Sequence, residues 1–129
     1  MSRARILLAE DDDELRSVLK SILEALDLEV NAVTSGFGLL DRLAAGGQFD
    51  LVVSDVRMPG MSGLQVALAL RNAGFDMPLI IMSAFGSGEL ERRVASLKDA
   101  VFVAKPVEPA VLARLTNEAL ARPRQPVPA

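Results

Sequence analysis

Short runs of strand-type residues alternate five times along the chain with segments whose apolar residues recur at helical spacing, and no other feature of the sequence restricts the fold as much. The runs are RILLA from Arg5 to Ala9, a stretch near Glu29 to Val33, Leu51 to Ser54, Leu79 to Met82 and Val101 to Ala104. Most are continuously apolar. A strand with one face in water alternates apolar with polar residues, whereas a strand covered on both faces can be apolar throughout. Parallel neighbours also need a crossover long enough for a helix, and the intervening segments supply one each time. The sequence therefore predicts an α/β fold: a five-stranded parallel sheet between two helical layers. Strand order is not legible in the pattern, but short right-handed crossovers favour a doubly wound arrangement.

The clearest helical segment carries Leu15, Val18, Leu19, Ile22, Leu23 and Leu26 at i, i+3, i+4, i+7, i+8 and i+11, with Asp12 or Asp13 as its N-cap. A second helix is expected over Leu39 to Ala45, ending at Gly46-Gly47. Ser62 caps a third, which buries Leu64, Ala67, Leu68 and Leu70 or their neighbours and stops near Ala73-Gly74. A weaker fourth aligns Leu90, Val94 and Leu97, and Glu108-Pro109 open the last, which carries Leu112, Leu115 and Ala119. The predicted domain spans residues 1–121. Residues 122–129, with Pro123, Pro126 and Pro128, cannot continue a helix and read as a disordered tail or the stump of a linker.

Absences narrow the chemistry. With neither Cys nor His there is no thiolate nucleophile, no imidazole base, no phosphohistidine and no His- or Cys-bound zinc. Carboxylates, hydroxyls, Lys, Arg and backbone remain, an inventory suited to a hard cation and phosphoryl groups. No uninterrupted apolar run approaches the ~20 residues of a membrane span, and no signal-type region opens the chain, so a soluble cytoplasmic protein without membrane contact is expected. A formal charge of −3 gives no general attraction to nucleic acid, and direct nucleic-acid binding is not expected.

In a parallel sheet all strand carboxyl ends share one edge. That edge brings together Glu10-Asp11 after the first strand, Asp55 after the third, Ser83 after the fourth and Lys105 after the fifth. Singly, each residue type is ordinary at its position. Jointly, carboxylates a few ångström apart repel one another unless a cation neutralises them or some are protonated. Mg²⁺ accepts oxygen ligands, so Asp11, Asp55 and a backbone carbonyl could hold it while a position stays open for a phosphoryl oxygen. The Lys105 ammonium and the Ser83 hydroxyl would bind other phosphoryl oxygens, beside the small Ala84.

Four segments, ILLAEDD, DLVVSDVRMPGMSG, IIMSA and VFVAKP, occur in that order over about residues 4–121 and together resemble the receiver domain of two-component response regulators. The resemblance implies a flavodoxin-like (βα)5 fold with strand order 2-1-3-4-5 and Asp55 at the topological switch point. It also implies that Asp55 is the phosphoacceptor, Glu10 and Asp11 the acidic pair, and the Arg57 backbone oxygen a further ligand of Mg²⁺, for which Mn²⁺ can substitute. Ser83 then matches the switch hydroxyl, Phe102 the switch aromatic, and Lys105 the family's lysine, with a cis bond to Pro106. The partners implied are a sensor histidine kinase or a histidine phosphotransfer protein, a downstream protein effector and a phosphorylation-dependent homodimer. The readout would use the face made by the fourth helix, fifth strand and last helix. Such a protein is a signalling phosphoacceptor and not an enzyme acting on others. The Arg57 and Phe85 side chains would limit water's approach and so set the lifetime of the phosphate.

The chain departs from the family at four places. Glu10 stands where Asp is common, Ser83 where Thr is commoner and Phe102 in place of Tyr, and no Gly lies at 98–100, where the fourth helix often ends in one. Asp12 and Asp13 read as capping residues, and Gly36-Phe37-Gly38 and Gly86-Ser87-Gly88 as turns, since neither has the spacing of a nucleotide-binding loop. Two rival readings exist. An aspartyl-nucleophile phosphatase would want a second Asp two residues after Asp55, where this chain has Arg57. A receiver-like interaction module without phosphate chemistry would not need the intact acids, hydroxyl and lysine.

Overall fold

The computed structural model describes residues 3–84 and 88–122. Five strands and five helices alternate: β1 (Arg5–Ala9), α1 (Asp13–Glu24), β2 (Glu29–Val33), α2 (Gly36–Ala44), β3 (Leu51–Asp55), α3 (Gly63–Asn72), β4 (Leu79–Ser83), α4 (Gly88–Ala95), β5 (Ala100–Ala104) and α5 (Pro109–Ala121). All strand pairs are parallel, in the order β2-β1-β3-β4-β5. This is the doubly wound order, with the chain reversing its direction of travel between β1 and β3. No described helix is long and apolar enough to cross a membrane.

Burial follows position in the sheet. Every residue of the central strands β3 and β4 is buried, whereas the edge strands β2 and β5 are only partly covered. Successive side chains point to opposite faces and build two separate cores. Leu7, Val52, Leu79 and Ile81 pack under α2, α3 and α4 with Leu39, Leu43, Val66, Ala67, Leu70 and Val94. Ile6, Leu8, Leu51, Val53, Ile80 and Met82 pack under α1 and α5 with Leu19, Leu23, Leu112 and Ala119. Fully burying a side chain of this size stabilises by roughly 1.5–3 kcal/mol, so the central strands are where the sheet is most firmly held.

The helix ends follow local chemistry. Asp12 caps α1 by accepting the Leu15 N–H, Ser35 caps α2 through Gly38, and Ser62 forms a reciprocal capping box with Gln65 at α3. Because Ser35 supplies that cap, α2 begins three residues earlier than expected, and Gly36-Phe37-Gly38 is its first turn and not a separate loop. Gly88 opens α4, and Gly86-Ser87 lie outside the described residues, as do Phe85 and residues 123–129 of the expected tail. Leu97 falls beyond the end of α4 yet still packs on its core. The missing glycine after α4 is replaced by Asp99, whose φ of 52° puts it in the left-handed region that Asp and Asn tolerate best among side-chain-bearing residues. Val18 and Leu68, expected on buried faces, are 53% and 38% exposed, and Val66 takes the buried place on α3. The Lys105–Pro106 bond is cis.

At the amino-terminal edge of the sheet, the Arg71 guanidinium donates to three carbonyls: Phe75 at 2.8 Å, Met77 at 2.8 Å and Lys98 at 2.7 and 3.1 Å. It ties the turns entering β4 and β5 together. Arg71→Lys should lose about 2 kcal/mol of stability, nearly as much as Arg71→Ala, because a point ammonium cannot span that fork; equal denaturation midpoints for wild type and Arg71→Lys would refute it. On the inner face of α5, the Thr116 hydroxyl is fully buried with no hydrogen-bond partner among the described residues. Thr116→Val keeps the shape and removes the orphan group, so it should stabilise by about 1 kcal/mol and raise the melting temperature by roughly 3–5 °C, measurable by thermal unfolding.

Candidate functional site

The strand ladders run one residue past the strands at the carboxyl edge. Glu10 N–H donates to the Val33 carbonyl at 3.1 Å, and Lys105 N–H to the Ser83 carbonyl at 2.8 Å. Strand alternation then decides which side chains meet. Glu10 continues the series Ile6, Leu8, and Asp55 the series Leu51, Val53, both of which pack under α1 and α5. Lys105 continues Val101 and Val103 on the same face. Ser83 continues Leu79 and Ile81, and Phe102 follows Ala100, on the opposite face. The edge therefore presents two acids and an amine on one side and a hydroxyl on the other, with Phe102 further from the edge on that second face, opposite Ile81.

The Lys105 ammonium lies between the acids, donating to Glu10 Oε1 at 2.8 Å and to Asp55 Oδ2 at 3.0 Å. Both carboxylates are buried, with 1% of Glu10 and 6% of Asp55 exposed, so these ion pairs are little screened by water. Glu10 is fixed at further points: Oε2 accepts the Asp12 N–H at 3.1 Å, and its carbonyl accepts from Arg16 Nη1 at 3.1 Å. Asp55 Oδ1 accepts the Arg57 N–H at 3.3 Å, and its carbonyl accepts from the Ser54 hydroxyl at 3.0 Å. Gly63 packs so tightly against that carbonyl that a Cβ would stand 2.3 Å from it, which is why the loop returns to β3 through glycine.

Asp11 is exposed, and oxygens of Glu10, Asp11 and Asp55 lie within 4.8 Å of one another. They border a cleft of about 380 Å³, whose walls include Leu15, Ala84, Arg57 and Lys105. Asp12 serves the helix cap, and Asp13 pairs with Arg16 at 2.7 Å, as capping residues at a positively polarised helix start should. Ser83 is buried, Phe102 is half-buried against the core under α2 to α4, and the Arg57 side chain is exposed.

Charge and burial oppose each other here. Burial pushes the Glu10 carboxyl above its ordinary range; hydrogen bonds from Lys105 and the Asp12 N–H pull it back, and repulsion from Asp55 adds to the rise. Burial alone would lower Lys105, but its hydrogen bonds to Glu10 and Asp55 outweigh that and hold the ammonium above the ordinary lysine value. Lys105 thus contributes stability below the ordinary lysine range and loses it as pH rises through its raised value. For Glu10 the raised value favours the fold at acid pH, and that contribution fades as the carboxyl ionises. Among the described residues two buried carboxylates and one exposed one face the Lys105 ammonium, with Arg57 also lining the cleft, so the acids outnumber the cations.

Sequence reading did not find Arg16 or Ser54. The i, i+3 spacing of Asp13 and Arg16 signals their ion pair, but the guanidinium's reach back to the Glu10 carbonyl depends on the angle at which α1 leaves the sheet.

Comparison with known proteins agrees with this arrangement. Residues 6–117 match the response regulator receiver domain family. The transcriptional regulatory protein FixJ of Azorhizobium caulinodans is 36% identical over 115 residues, covering 88% of this chain and 53% of that protein. The DNA-binding transcriptional regulator NtrC of Rhizobium meliloti is 31% identical over 125 residues, covering 97% of this chain and 26% of that one. The chain thus spans about half the length of the first and a quarter of the second. Among solved structures, a CheY-like response regulator receiver domain protein from Methanospirillum hungatei superposes with a TM-score of 0.84 at 27% identity, over 92% of this chain and 94% of that one. Five parallel strands in the order 2-1-3-4-5, an acidic cleft at their carboxyl edge and a family match over nearly the whole described chain lead to one conclusion: the chain belongs to the response regulator receiver domain family of two-component signalling systems.

Proposed function

We propose that Asp55 is a phosphoacceptor, taking a phosphoryl group from the phosphohistidine of a sensor histidine kinase or a histidine phosphotransfer protein. An Asp55 oxygen bonds to phosphorus as the phosphorus–nitrogen bond breaks, and the electron pair leaves with the imidazole. Hydrolysis of the acyl phosphate later returns the carboxylate. The observation that carries this reading is the Lys105 ammonium fixed 3.0 Å from Asp55 Oδ2 beside an acidic cluster with surplus negative charge. Such a carboxylate can approach an anionic phosphoryl group only where positive charge is already arranged around it.

Lys105 supplies one such charge and neutralises a phosphoryl oxygen as it moves onto Asp55. The all-oxygen donor set fits Mg²⁺, or Mn²⁺ in its place, held by Glu10, Asp11, Asp55 and the Arg57 backbone oxygen. That ion would supply charge neutralisation for the transferring group. Ser83 and Phe102 serve as the switch pair: new acceptor oxygens beside Ser83 draw its hydroxyl inward, and the Phe102 ring follows into the space released. The changed face of α4, β5 and α5 then meets a downstream protein effector or a second copy of the chain. The Arg57 and Phe85 side chains restrict water and set the phosphate's lifetime. The domain catalyses only its own phosphorylation and dephosphorylation, acts in the cytoplasm, and with a formal charge of −3 reaches any DNA through a partner or an attached domain.

Incubation with acetyl phosphate and Mg²⁺ should label the wild type at one site and leave Asp55→Asn unlabelled; equal labelling of both would sink the assignment. Mg²⁺ at millimolar concentration should raise the melting temperature by several degrees by binding only the folded form. Asp55→Asn should itself melt higher than metal-free wild type, because it removes one repelling carboxylate while Lys105 keeps Glu10, and its Mg²⁺ response should shrink. A wild-type melting curve indifferent to Mg²⁺ would refute the donor set.

A further inference from the structure

Phe37 is 58% exposed, the most exposed of the large apolar side chains described, yet it makes a specific contact. A Cβ built on Gly60, at the crest of the loop between β3 and α3, would stand 2.5 Å from Phe37 Cε2 and 3.3 Å from Cδ2. The Cε2 edge of the ring thus points at Gly60. Gly60 also has a φ of 80°, so a side chain there meets both a strained backbone and the ring. The start of α2 also meets this loop at a second point. At Gly36 a Cβ would stand 3.0 Å from the Met61 carbonyl and 2.7 Å from Val66 Cγ2, so the first turn of α2 sits flush against the loop's far limb.

This loop carries Arg57, whose N–H donates to Asp55 Oδ1 at 3.3 Å. At its base the loop is closed by the Gly63 N–H on the Val56 carbonyl at 2.8 Å, and near its crest by the tight Met61 N–H to Pro59 carbonyl bond at 3.0 Å. Neither bond fixes the height of the crest above the cleft. The edge of an aromatic ring meeting a residue without a side chain adds a rest there, beside the packing of Met58 and Met61 on the core under α2 to α4.

We propose that Phe37 is a positioning residue for the phosphoacceptor site: by pressing on Gly60 it holds the β3–α3 loop, and with it the Arg57 backbone, at the height the cation and phosphoryl sites require. Its exposure fits that role, because only the Cε2 edge of the ring meets the loop while the rest of the side chain stays largely in water. The inference rests on the reading of Asp55 as phosphoacceptor with Mg²⁺.

The test compares wild type, Phe37→Ala, Phe37→Leu and Gly60→Ala in two measurements: the Mg²⁺ concentration giving half of the maximal melting-temperature shift, and the acetyl phosphate labelling rate across Mg²⁺ concentrations. Phe37→Ala should raise the half-saturating Mg²⁺ several-fold and slow labelling at low Mg²⁺, with the rate recovering at saturation. Phe37→Leu should restore most of the affinity, and Gly60→Ala should weaken it as Phe37→Ala does. A change in metal-free melting temperature without a change in half-saturating Mg²⁺ would make the ring merely structural and overturn the proposal. So would normal Mg²⁺ response and acetyl phosphate labelling with a loss confined to transfer from a kinase, which would make Phe37 a docking contact. Absence of labelling in the wild type itself would instead strike the phosphoacceptor reading, and the Mg²⁺ melting titration would still decide the role of Phe37.

Discussion

The acidic cleft depends on pleat parity in a parallel sheet. Alternate residues of a strand face the same side, and parallel strands end along the same edge, so side chains of matching parity on different strands become neighbours. Glu10, Asp55 and Lys105 all continue series packed under α1 and α5. A one-residue slip of β1 or β3 would send its acid to the other face, among the apolar side chains under α2 to α4. The two cores are therefore what aim the charged groups, and the central strands that are buried throughout hold the aim best.

At the edge the balance of burial and charge takes over. Burial favours the neutral form of Glu10 and the hydrogen bond from Lys105 opposes it, while the same ammonium also donates to Asp55. One ammonium cannot satisfy Glu10, Asp55 and the nearby Asp11. The fold thus maintains a local charge imbalance that a packed core would have excluded, and it surrounds that imbalance with fixed donors: the Asp12 and Arg57 N–H groups and the Arg16 guanidinium.

Much of this was legible in the residues. The continuously apolar Leu51 to Val53 and Leu79 to Met82 announced strands covered on both faces, and the acid and hydroxyl that end them, with the lysine that follows the fifth strand, announced a shared edge. Less legible was whatever depended on tertiary contact. Gly36-Phe37-Gly38 looks like a turn because glycine disfavours helix, but the Ser35 cap and the close approach of Met61 and Val66 make it the first turn of α2. Val18 and Leu68 satisfy the helical period and still face water, since the period says which residues share a stripe and not how wide a stripe the sheet covers. Asp99 stands where glycine was sought, in the conformation glycine would have adopted. The Arg71 clamp joins residues 27 apart, and no local pattern encodes it.

That clamp also bears on the spacing of β4 and β5. Arg71 laces the turns entering β4 and β5 at the amino-terminal edge, while the opposite end of the same strands delivers Ser83 and Lys105. β4 is also laddered to β3 on one side and to β5 on the other along its length. The spacing of β4 and β5 is thus set at their roots by a side chain and carried by an unbroken ladder to the edge where Ser83 and Lys105 stand.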